Sequence, residues 1–263
     1  AWTQPWHKNW RSFLVAMDKF NEHLSAKGIV FACSMYNIQH TVTPVNGKLQ
    51  VRLECERPDV EIRYTVDGKE PTDRSLLYKN PLMVTDTQTI KCATYRAGRQ
   101  MGKILTLPLA WNKATAKPVL GNTQAGKILV NGIRGSLRQS DFEWHSWESS
   151  DSVAFTIDLQ KKELLRSVSV GCITNYGMAA HKPADIEVWV SNNNRDYRKV
   201  SGKQFTDGEI FREGTFKEDV VLDLNKEIGR YVRIIAKGVG ECPATHVRPG
   251  QEARIYFDEV MIE

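Results

Sequence analysis

The sequence predicts a mainly β protein, built from two consecutive antiparallel β-sandwiches that follow one amphipathic helix. Three observations lead to this fold class. Apolar residues recur at helical spacing between residues 10 and 24, and the pattern changes to two-residue alternation from Leu49. A later series of short apolar strands, which begins with Ser152–Leu159, is separated by turn-forming residues. Regularly spaced strands of this kind are typical of sandwiches.

The helix is predicted from about Asn9 to Ala26, with Gly28 as its C-cap. Its apolar positions recur at steps of three and four residues: Trp10, Phe13, Leu14, Met17, Phe20 and Leu24. A single helix cannot bury its own apolar face. We therefore expect either a partly exposed apolar stripe that includes Trp10, Phe13, Met17 and Phe20, or a non-native contact that covers it.

The first sandwich follows a linker-like stretch, Thr43–Gly47. Its predicted strands alternate apolar and polar residues, and Asp67-Gly68 has the turn chemistry that closes a hairpin. We interpret Asp67, Gly68, Pro71 and Thr72 as structural turn residues, with the Thr72 hydroxyl capping local amides. The apolar positions of the four strands are Leu49, Val51 and Leu53; Ile62, Tyr64 and Val66; Ile90 and Cys92; and Ile104 and Leu107.

A polar connector, Trp111–Pro118, leads into the second sandwich. Short alternating or apolar runs separated by Gly, Asn and Asp predict its strands. They are Val153–Leu159, Arg166–Ile173, Ile186–Ser191, Asp219–Leu224, Arg230–Val239 and Arg254–Glu263.

Composition narrows the function classes. The net charge of +5 comes from 36 Lys and Arg against 31 Asp and Glu, spread without a basic block, so nucleic-acid binding is disfavoured. No apolar run approaches the roughly 20 residues of a membrane span, so no membrane insertion is predicted. The five cysteines form no C-x-x-C pair, which disfavours a zinc site. Cys55 and Cys92 lie on neighbouring predicted strands, and both a disulfide and two free thiols stay open.

Two adjacent segments resemble one enzyme family. The Trp-rich start and the helix ending in Lys27-Gly28-Ile29 look like the last helix of the (β/α)8 barrel of family 20 glycoside hydrolases, the β-N-acetylhexosaminidases. The stretch with Tyr64, Asp67-Gly68 and Pro71-Thr72, followed by Ser75 and Tyr78, resembles the C-terminal domain of chitobiases and hexosaminidases. This resemblance implies a barrel remnant over residues 1–40 and a small immunoglobulin- or fibronectin-like sandwich over 41–112.

The remainder, residues 113–263, resembles the discoidin fold of coagulation-factor type C domains and family 32 carbohydrate-binding modules. The resemblance lies in Ile157-Asp158-Leu159, in Pro183 before the strand Ile186–Ser191, and in a terminal Phe257–Val260. It implies a discoidin-like jelly roll. It also implies a periplasmic, cell-surface or secreted location, and a catalytic barrel of the parent chain as a partner.

Catalysis is not expected from these residues. Family 20 enzymes place an Asp beside a Glu general acid in an H-x-G-G-D-E motif, and the sequence contains no such motif. Asp258 and Glu259 are adjacent, but alternate pointing along a strand sends their side chains to opposite faces. We therefore predict a non-catalytic portion of a β-N-acetylhexosaminidase.

Binding is the alternative to a purely structural tail. Discoidin sandwiches bind ligands at loops clustered at one end, and a sugar site needs an aromatic platform beside planar polar groups. The loops predicted to bind N-acetylhexosamine or galactose-type glycans carry Trp144, His145, Trp147, Asn175, Tyr176, His181, His246 and Arg248. The stacking face is expected from Trp144 or Tyr176.

No cofactor and no tightly held metal are predicted. Family 32 modules often carry Asp-Gly in an early turn that is associated with a structural Ca²⁺, whereas this sequence has Asn131-Gly132. Losing a carboxylate weakens a site for a hard cation, although backbone carbonyls remain as oxygen ligands.

Overall fold

The computed structural model describes residues 34–122, 124–148 and 152–263, together with residues 12, 13, 15–20 and 23. The described residues before Ser34 are helical, as predicted. Phe13 and Phe20 are 46% and 56% exposed and Met17 is half-buried, which confirms the exposed apolar stripe for these positions. Trp10, Leu14, Leu24 and Gly28 lie outside the described residues.

The strands of the first sandwich form two sheets among the described residues. One sheet has the order β1-β2-β5, and in the other β3 and β8 both pair with β6. Their bounds are β1 Gln39–Val45, β2 Lys48–Glu54, β3 Glu61–Thr65, β4 Leu76–Leu77, β5 Leu82–Val84, β6 Gln88–Arg96, β7 Arg99–Gln100 and β8 Leu105–Leu109. The core between the sheets contains Leu49, Val51, Ile90, Cys92 and Leu107.

Two sequence predictions about this sandwich were wrong. Thr43–Gly47 is no linker, because Thr43 to Val45 end β1 and Asn46 and Gly47, both with positive φ, form the turn into β2. Asp67-Gly68 does not close a two-residue hairpin either. The chain continues through residues 69–75 before β4 pairs with β3, and Gly68 N–H donates to the Thr89 carbonyl instead.

The helical segment is attached to the first sandwich through its polar side. Asp18 accepts a hydrogen bond from Tyr36 and contacts the guanidinium groups of Arg57 and Arg96, the latter at 3.0 Å. Burial together with the Asp18 contact raises the pKa of Tyr36 to about 12, so its hydroxyl stays protonated and remains a donor. The helical segment is therefore held by charge through Asp18, while Phe13 and Phe20 are exposed.

The second sandwich is one folded sheet with the order β10-β15-β11-β14-β12-β13, and β9 pairs with β11. Its two long strands are bent where Gln160, Asn225 and Lys226 have positive φ. Both halves of each strand therefore contribute to one core. The bounds are β9 Val119–Leu120, β10 His145–Glu148, β11 Ser152–Asn175, β12 Asp185–Ser191, β13 Arg198–Gln204, β14 Thr215–Lys237 and β15 Arg254–Ile262.

The connector joins the two sandwiches through several contacts. Ala110 N–H donates to the Gly132 carbonyl at 3.0 Å, and Lys113 N–H donates to the Ile262 carbonyl at 3.1 Å. Ile133 of the second sandwich packs into the core of the first. Lys113 Nζ also reaches the carbonyl of Leu164, which lies in the middle of β11, eleven residues before Asn175. The chain thus enters the second sandwich far from the loop that follows β11.

Candidate functional site

Two of the predicted loops meet beyond the end of β11. Asn175 and Ala180 exchange backbone hydrogen bonds of 2.9 and 3.1 Å, which closes a short loop in which Ala179 has positive φ. The Ala179 carbonyl and His181 N–H both bond to Arg254 at the start of β15. The segment before Arg254 folds back through a bridge between Glu241 and Glu252. The start of β15 therefore holds both loops together.

Four rings pack against one another where these loops meet. The His246 ring lies 4.0 Å from the ring of Tyr176 and 5.1 Å from the ring of His181, centroid to centroid. Phe211, from the loop before β14, completes the cluster at 5.0 Å from His181. Sequence reasoning missed Phe211, because it lies in a segment with no periodic signal.

The two histidines lie at the base of this cluster and are neutral. His181 and His246 are 1% and 4% exposed. Burial lowers the pKa of His181 to about 4 and also lowers that of His246, because the charged imidazole is poorly solvated there. They were predicted to contact sugar hydroxyls, but in this conformation neither ring has a free surface.

The outer side of the cluster remains partly exposed. Tyr176 and Arg248 are both half-exposed, and the Arg248 guanidinium contacts Met178 Sδ and Gln251 Oε1. The Asn175 amide, also half-exposed, donates to Gln139 Oε1 at 2.7 Å, which connects this end to the segment before β10. We call Tyr176, Arg248 and Asn175 the end surface.

The Trp-rich segment, interpreted as a loop, is partly a strand, because His145–Glu148 form β10 and pair with β15. Trp144 is 6% exposed and its Nε1–H donates to the Ser136 carbonyl at 3.1 Å. The indole of Trp147 is half-buried and stacks on Phe155 at 6.2 Å. His145 meets Trp147 edge-on at 4.3 Å. Trp144 therefore closes the core and offers no stacking face.

Asp258 and Glu259 are both fully buried, and they make separate contacts. Asp258 accepts hydrogen bonds from Arg134 Nε and Gly135 N–H, each at 2.9 Å. Glu259 accepts one from Gly132 N–H at 3.0 Å. Burial first, and then repulsion by Asp258, raise the pKa of Glu259 well above its usual range. Glu259 thus braces the turn at Asn131-Gly132, Asp258 braces the following Arg134-Gly135 segment, and neither carboxyl group has access to a substrate.

The same turn allows a test of the calcium site that the family resemblance raises. Asn131 Oδ1 already accepts from Ile133 N–H, and the Gly132 carbonyl accepts from Ala110 N–H. Glu259 Oε1 is buried and has no hydrogen-bond partner among the described residues. Calcium takes six to eight oxygen ligands. One free carboxylate oxygen beside an amide that is already engaged does not fit a tight calcium site.

The cysteines in the described part of the chain are all free. Cys92, Cys172 and Cys242 are buried and Cys55 is half-buried, so Cys55 and Cys92 form no disulfide here. In the described residues, no helix is long and apolar enough to cross a membrane.

Comparison with known families supports the division of the chain. The family described as the chitobiase/beta-hexosaminidase C-terminal domain matches residues 43–106, and the F5/8 type C domain family matches residues 113–247. The second match covers slightly more than half of the chain. The chain therefore belongs to the F5/8 type C domain family. In this chain, the discoidin-like sandwich follows a domain of the chitobiase C-terminal type.

Several solved structures are similar to parts of the chain, with TM-scores below 0.4. The C-terminal domain of a chitobiase from Bacteroides fragilis is 12% identical with a TM-score of 0.28; the match covers 43% of this chain and 62% of that one. Chitosan-binding module 1 of a Paenibacillus sp. IK-5 chitosanase/glucanase is 15% identical with a TM-score of 0.38, covering 58% and 98%. A search of curated proteins gave no match.

Proposed function

We propose that the second sandwich binds glycans through its end surface, within the non-catalytic C-terminal portion of a β-N-acetylhexosaminidase. The parent enzyme removes terminal N-acetylhexosamine and acts in the periplasm or at the cell surface. The order of the two matched domains supports this parent, because a domain of the chitobiase C-terminal type directly precedes the F5/8 type C domain.

One observation carries the binding proposal. The partly exposed ring of Tyr176 packs on His246, whose Nδ1 accepts a hydrogen bond from Arg248 N–H, at the same end of the sandwich as the Asn175 amide. A sugar ring has an apolar C–H face that packs on an aromatic ring and a rim of hydroxyl groups that bond to planar polar groups. The end surface supplies both kinds of contact.

The affinity follows from the shape of this surface. The end surface is a small, partly exposed patch and buries little of a monosaccharide. We expect a Kd of about 1 mM, which corresponds to about 4 kcal/mol. A parent enzyme gains from such weak contacts when several act on one polysaccharide.

A structural tail is the second candidate function, and the burial of Trp144, His181 and His246 favours it. These three residues were predicted to contact sugar, yet they pack inside the protein. In this case, the first sandwich holds the helical segment through Asp18, and the two sandwiches together separate the catalytic domain from a surface.

Calorimetric titration of the full chain separates these functions. N-acetylglucosamine, N-acetylgalactosamine and galactose are each added up to several times the expected Kd, with mannitol as a polyol control. Saturable heat with at least one sugar and none with mannitol supports glycan binding. If none of the three sugars gives saturable heat and no glycan on an array is bound, the structural-tail function is supported instead.

A further inference from the structure

Three side chains that bind transition metals come together beneath the end surface. His181, Cys242 and His246 are each at least nine-tenths buried, and their ligand atoms all lie within 4.8 Å of one another. His181 follows the loop after β11, whereas Cys242 and His246 lie in the loop before β15. Spacing along the sequence did not predict this group, because it depends on the two loops meeting.

Each of the two histidines has one ring nitrogen that makes no hydrogen bond with the described residues. Nε2 of His181 and Nε2 of His246 are both buried, and neither has a hydrogen-bond partner in the described part of the chain. A buried polar atom without a partner is destabilising, so it requires an explanation. The surroundings are apolar: Ala179, Ala253 and Val239 pack with Cys242. Water is poorly placed to compensate both rings from such a shell.

His181 is already oriented as a ligand. Its Nδ1 lies 3.2 Å from the Ile210 carbonyl, which can only accept a hydrogen bond. The proton of the neutral ring is therefore on Nδ1, which leaves the lone pair of Nε2 available to a metal. A backbone carbonyl that fixes the tautomer in this way is the usual outer partner of a histidine that binds a metal.

We propose that His181, Cys242 and His246 form a binding site for a thiophilic divalent transition metal, with zinc as the best match. Two imidazole nitrogens and one thiolate are common zinc ligands, and a solvent oxygen completes the tetrahedron. A hard cation such as calcium is unsuited, because none of the three atoms is oxygen. Tetrahedral zinc places its ligand atoms about 3.5 Å apart, so the two loops close by about 1 Å.

Binding requires two proton movements. The Cys242 thiol gives its proton to the buffer as the Zn–S bond forms. His246 Nδ1 accepts a hydrogen bond from Arg248 N–H at 3.0 Å, which keeps the ring proton on Nε2 in the metal-free protein. Coordination through Nε2 moves this proton to Nδ1 and releases the Arg248 amide. The turn that contains Arg248 has room for this change, because the neighbouring Val247 is 65% exposed.

Cobalt spectroscopy tests the site in the full chain, with Cys33 and Cys55 replaced by Ser so that neither can bind Co²⁺. After chelator treatment and dialysis, Co²⁺ is titrated and then displaced by Zn²⁺. We expect one equivalent of Co²⁺ with tetrahedral d–d bands and a thiolate-to-cobalt charge-transfer band. In ¹⁵N spectra, Zn²⁺ should shift the Arg248 amide and leave the Gly68 amide unchanged.

Variants at the three positions identify the ligands. Cys242→Ser should abolish the charge-transfer band, and His181→Gln or His246→Gln should weaken Co²⁺ binding at least tenfold. His145→Gln is the matched control, because it removes a half-buried imidazole outside the group. If a ligand variant does not fold, the cobalt spectrum of the parent protein alone tests whether Cys242 binds the metal. If the parent protein shows no thiolate-to-cobalt band, the proposal is wrong, and a water that bridges the two histidines would be the simpler explanation. A band that survives Cys242→Ser would also overturn the proposal. Sugar binding is measured separately, so either result leaves it unaffected.

Discussion

The two sandwiches differ in how they satisfy their buried polar groups. In the first, the buried Thr94 hydroxyl donates to the Tyr36 carbonyl and accepts from Gly102 N–H, and Tyr95 donates to the Pro71 carbonyl. In the second, His181 Nε2, His246 Nε2 and Glu259 Oε1 are buried without partners in the described residues. Buried polar groups without partners destabilise a fold. In the first sandwich, His40 Nε2 of β1 is also without a hydrogen bond among the described residues, although Glu143 Oε1 lies 3.2 Å away. The second sandwich differs in that two of its unpartnered atoms are histidine nitrogens that belong to one ring cluster.

The largest expected loss of stability follows the removal of the buried Trp144 indole from the second sandwich. Trp144→Ala removes a buried indole and its hydrogen bond to Ser136, so the free energy of unfolding should fall by about 3–5 kcal/mol. Phe142→Ala is the matched control, because Phe142 is 94% exposed and lies two residues away; its effect should stay within about 0.5 kcal/mol. Urea denaturation measures both. Equal losses for the two variants would mean that Trp144 is not part of the core.

Gly135→Ala tests the same packing from the other side. A Cβ at Gly135 would lie 2.3 Å from Cε2 of Trp144, which is buried and cannot move aside. The free energy of unfolding should fall by about 1–3 kcal/mol, the usual range for overpacking a core. An unchanged urea midpoint would contradict this placement of the indole.

Glu259→Gln tests the buried carboxyl of the second sandwich. Burial raises the Glu259 pKa well above that of the unfolded chain, so its stabilising contribution is present at acidic pH and is lost as pH rises. Gln cannot ionise, and its Oε1 keeps the bond from Gly132 N–H. We expect the variant to have a higher Tm than the parent at pH 8 and an equal Tm at pH 4, both in chelator.

A calcium site at Glu259 would make the same variant less stable than the parent when calcium is present. If Glu259 binds calcium, adding the ion should raise the Tm of the parent, and Glu259→Gln should lose this rise. Thermal unfolding with and without calcium therefore checks the prediction that no metal is tightly held at Asn131-Gly132. A rise of several degrees in the parent alone would show it to be wrong.

A smaller effect is expected where the sandwiches meet. His40 Nε2 lies 3.2 Å from Glu143 Oε1, with both side chains about one-fifth exposed. Contact with His40 lowers the Glu143 pKa, so its contribution is present above the unfolded pKa and is lost as pH falls. Glu143→Gln should destabilise by about 0.5–1 kcal/mol at pH 6 and by nothing below the folded pKa. Urea denaturation at the two pH values measures this, and a loss that persists in acid would rule out the ion pair.

The spacing of apolar residues and the positions of turn-forming residues predicted most of the fold. The alternation of Leu49, Val51 and Leu53 is the buried face of β2, and Ile186–Ser191 lies within β12. The pattern failed in β1, where Pro44 and the polar residues around it suggested a linker, although an edge strand tolerates Pro. It failed again in β10, where two indoles among Ser and Glu suggested an exposed loop.

The site was harder to predict than the fold. Tyr176, His181, His246 and the Arg248 backbone lie together in the structure, whereas their role in sugar binding stays a prediction. How deeply these side chains are buried was not predictable. Burial in a loop depends on the path of the backbone, which the local spacing of apolar residues does not determine. Cys242 joins His181 across about sixty residues, so no short spacing marks the pair. The prediction against a zinc site had considered spacing alone.

Sugar binding by Tyr176→Ala and Tyr197→Ala tests the central claim most directly. Both tyrosines are half-exposed, but Tyr197 lies on another loop, where Arg233 covers its ring at 3.7 Å. Titration should give millimolar binding for the parent and Tyr197→Ala, and none for Tyr176→Ala, whose unfolding free energy should fall by about 1 kcal/mol or less. Unchanged sugar affinity in a folded Tyr176→Ala protein would contradict the assignment of the end surface.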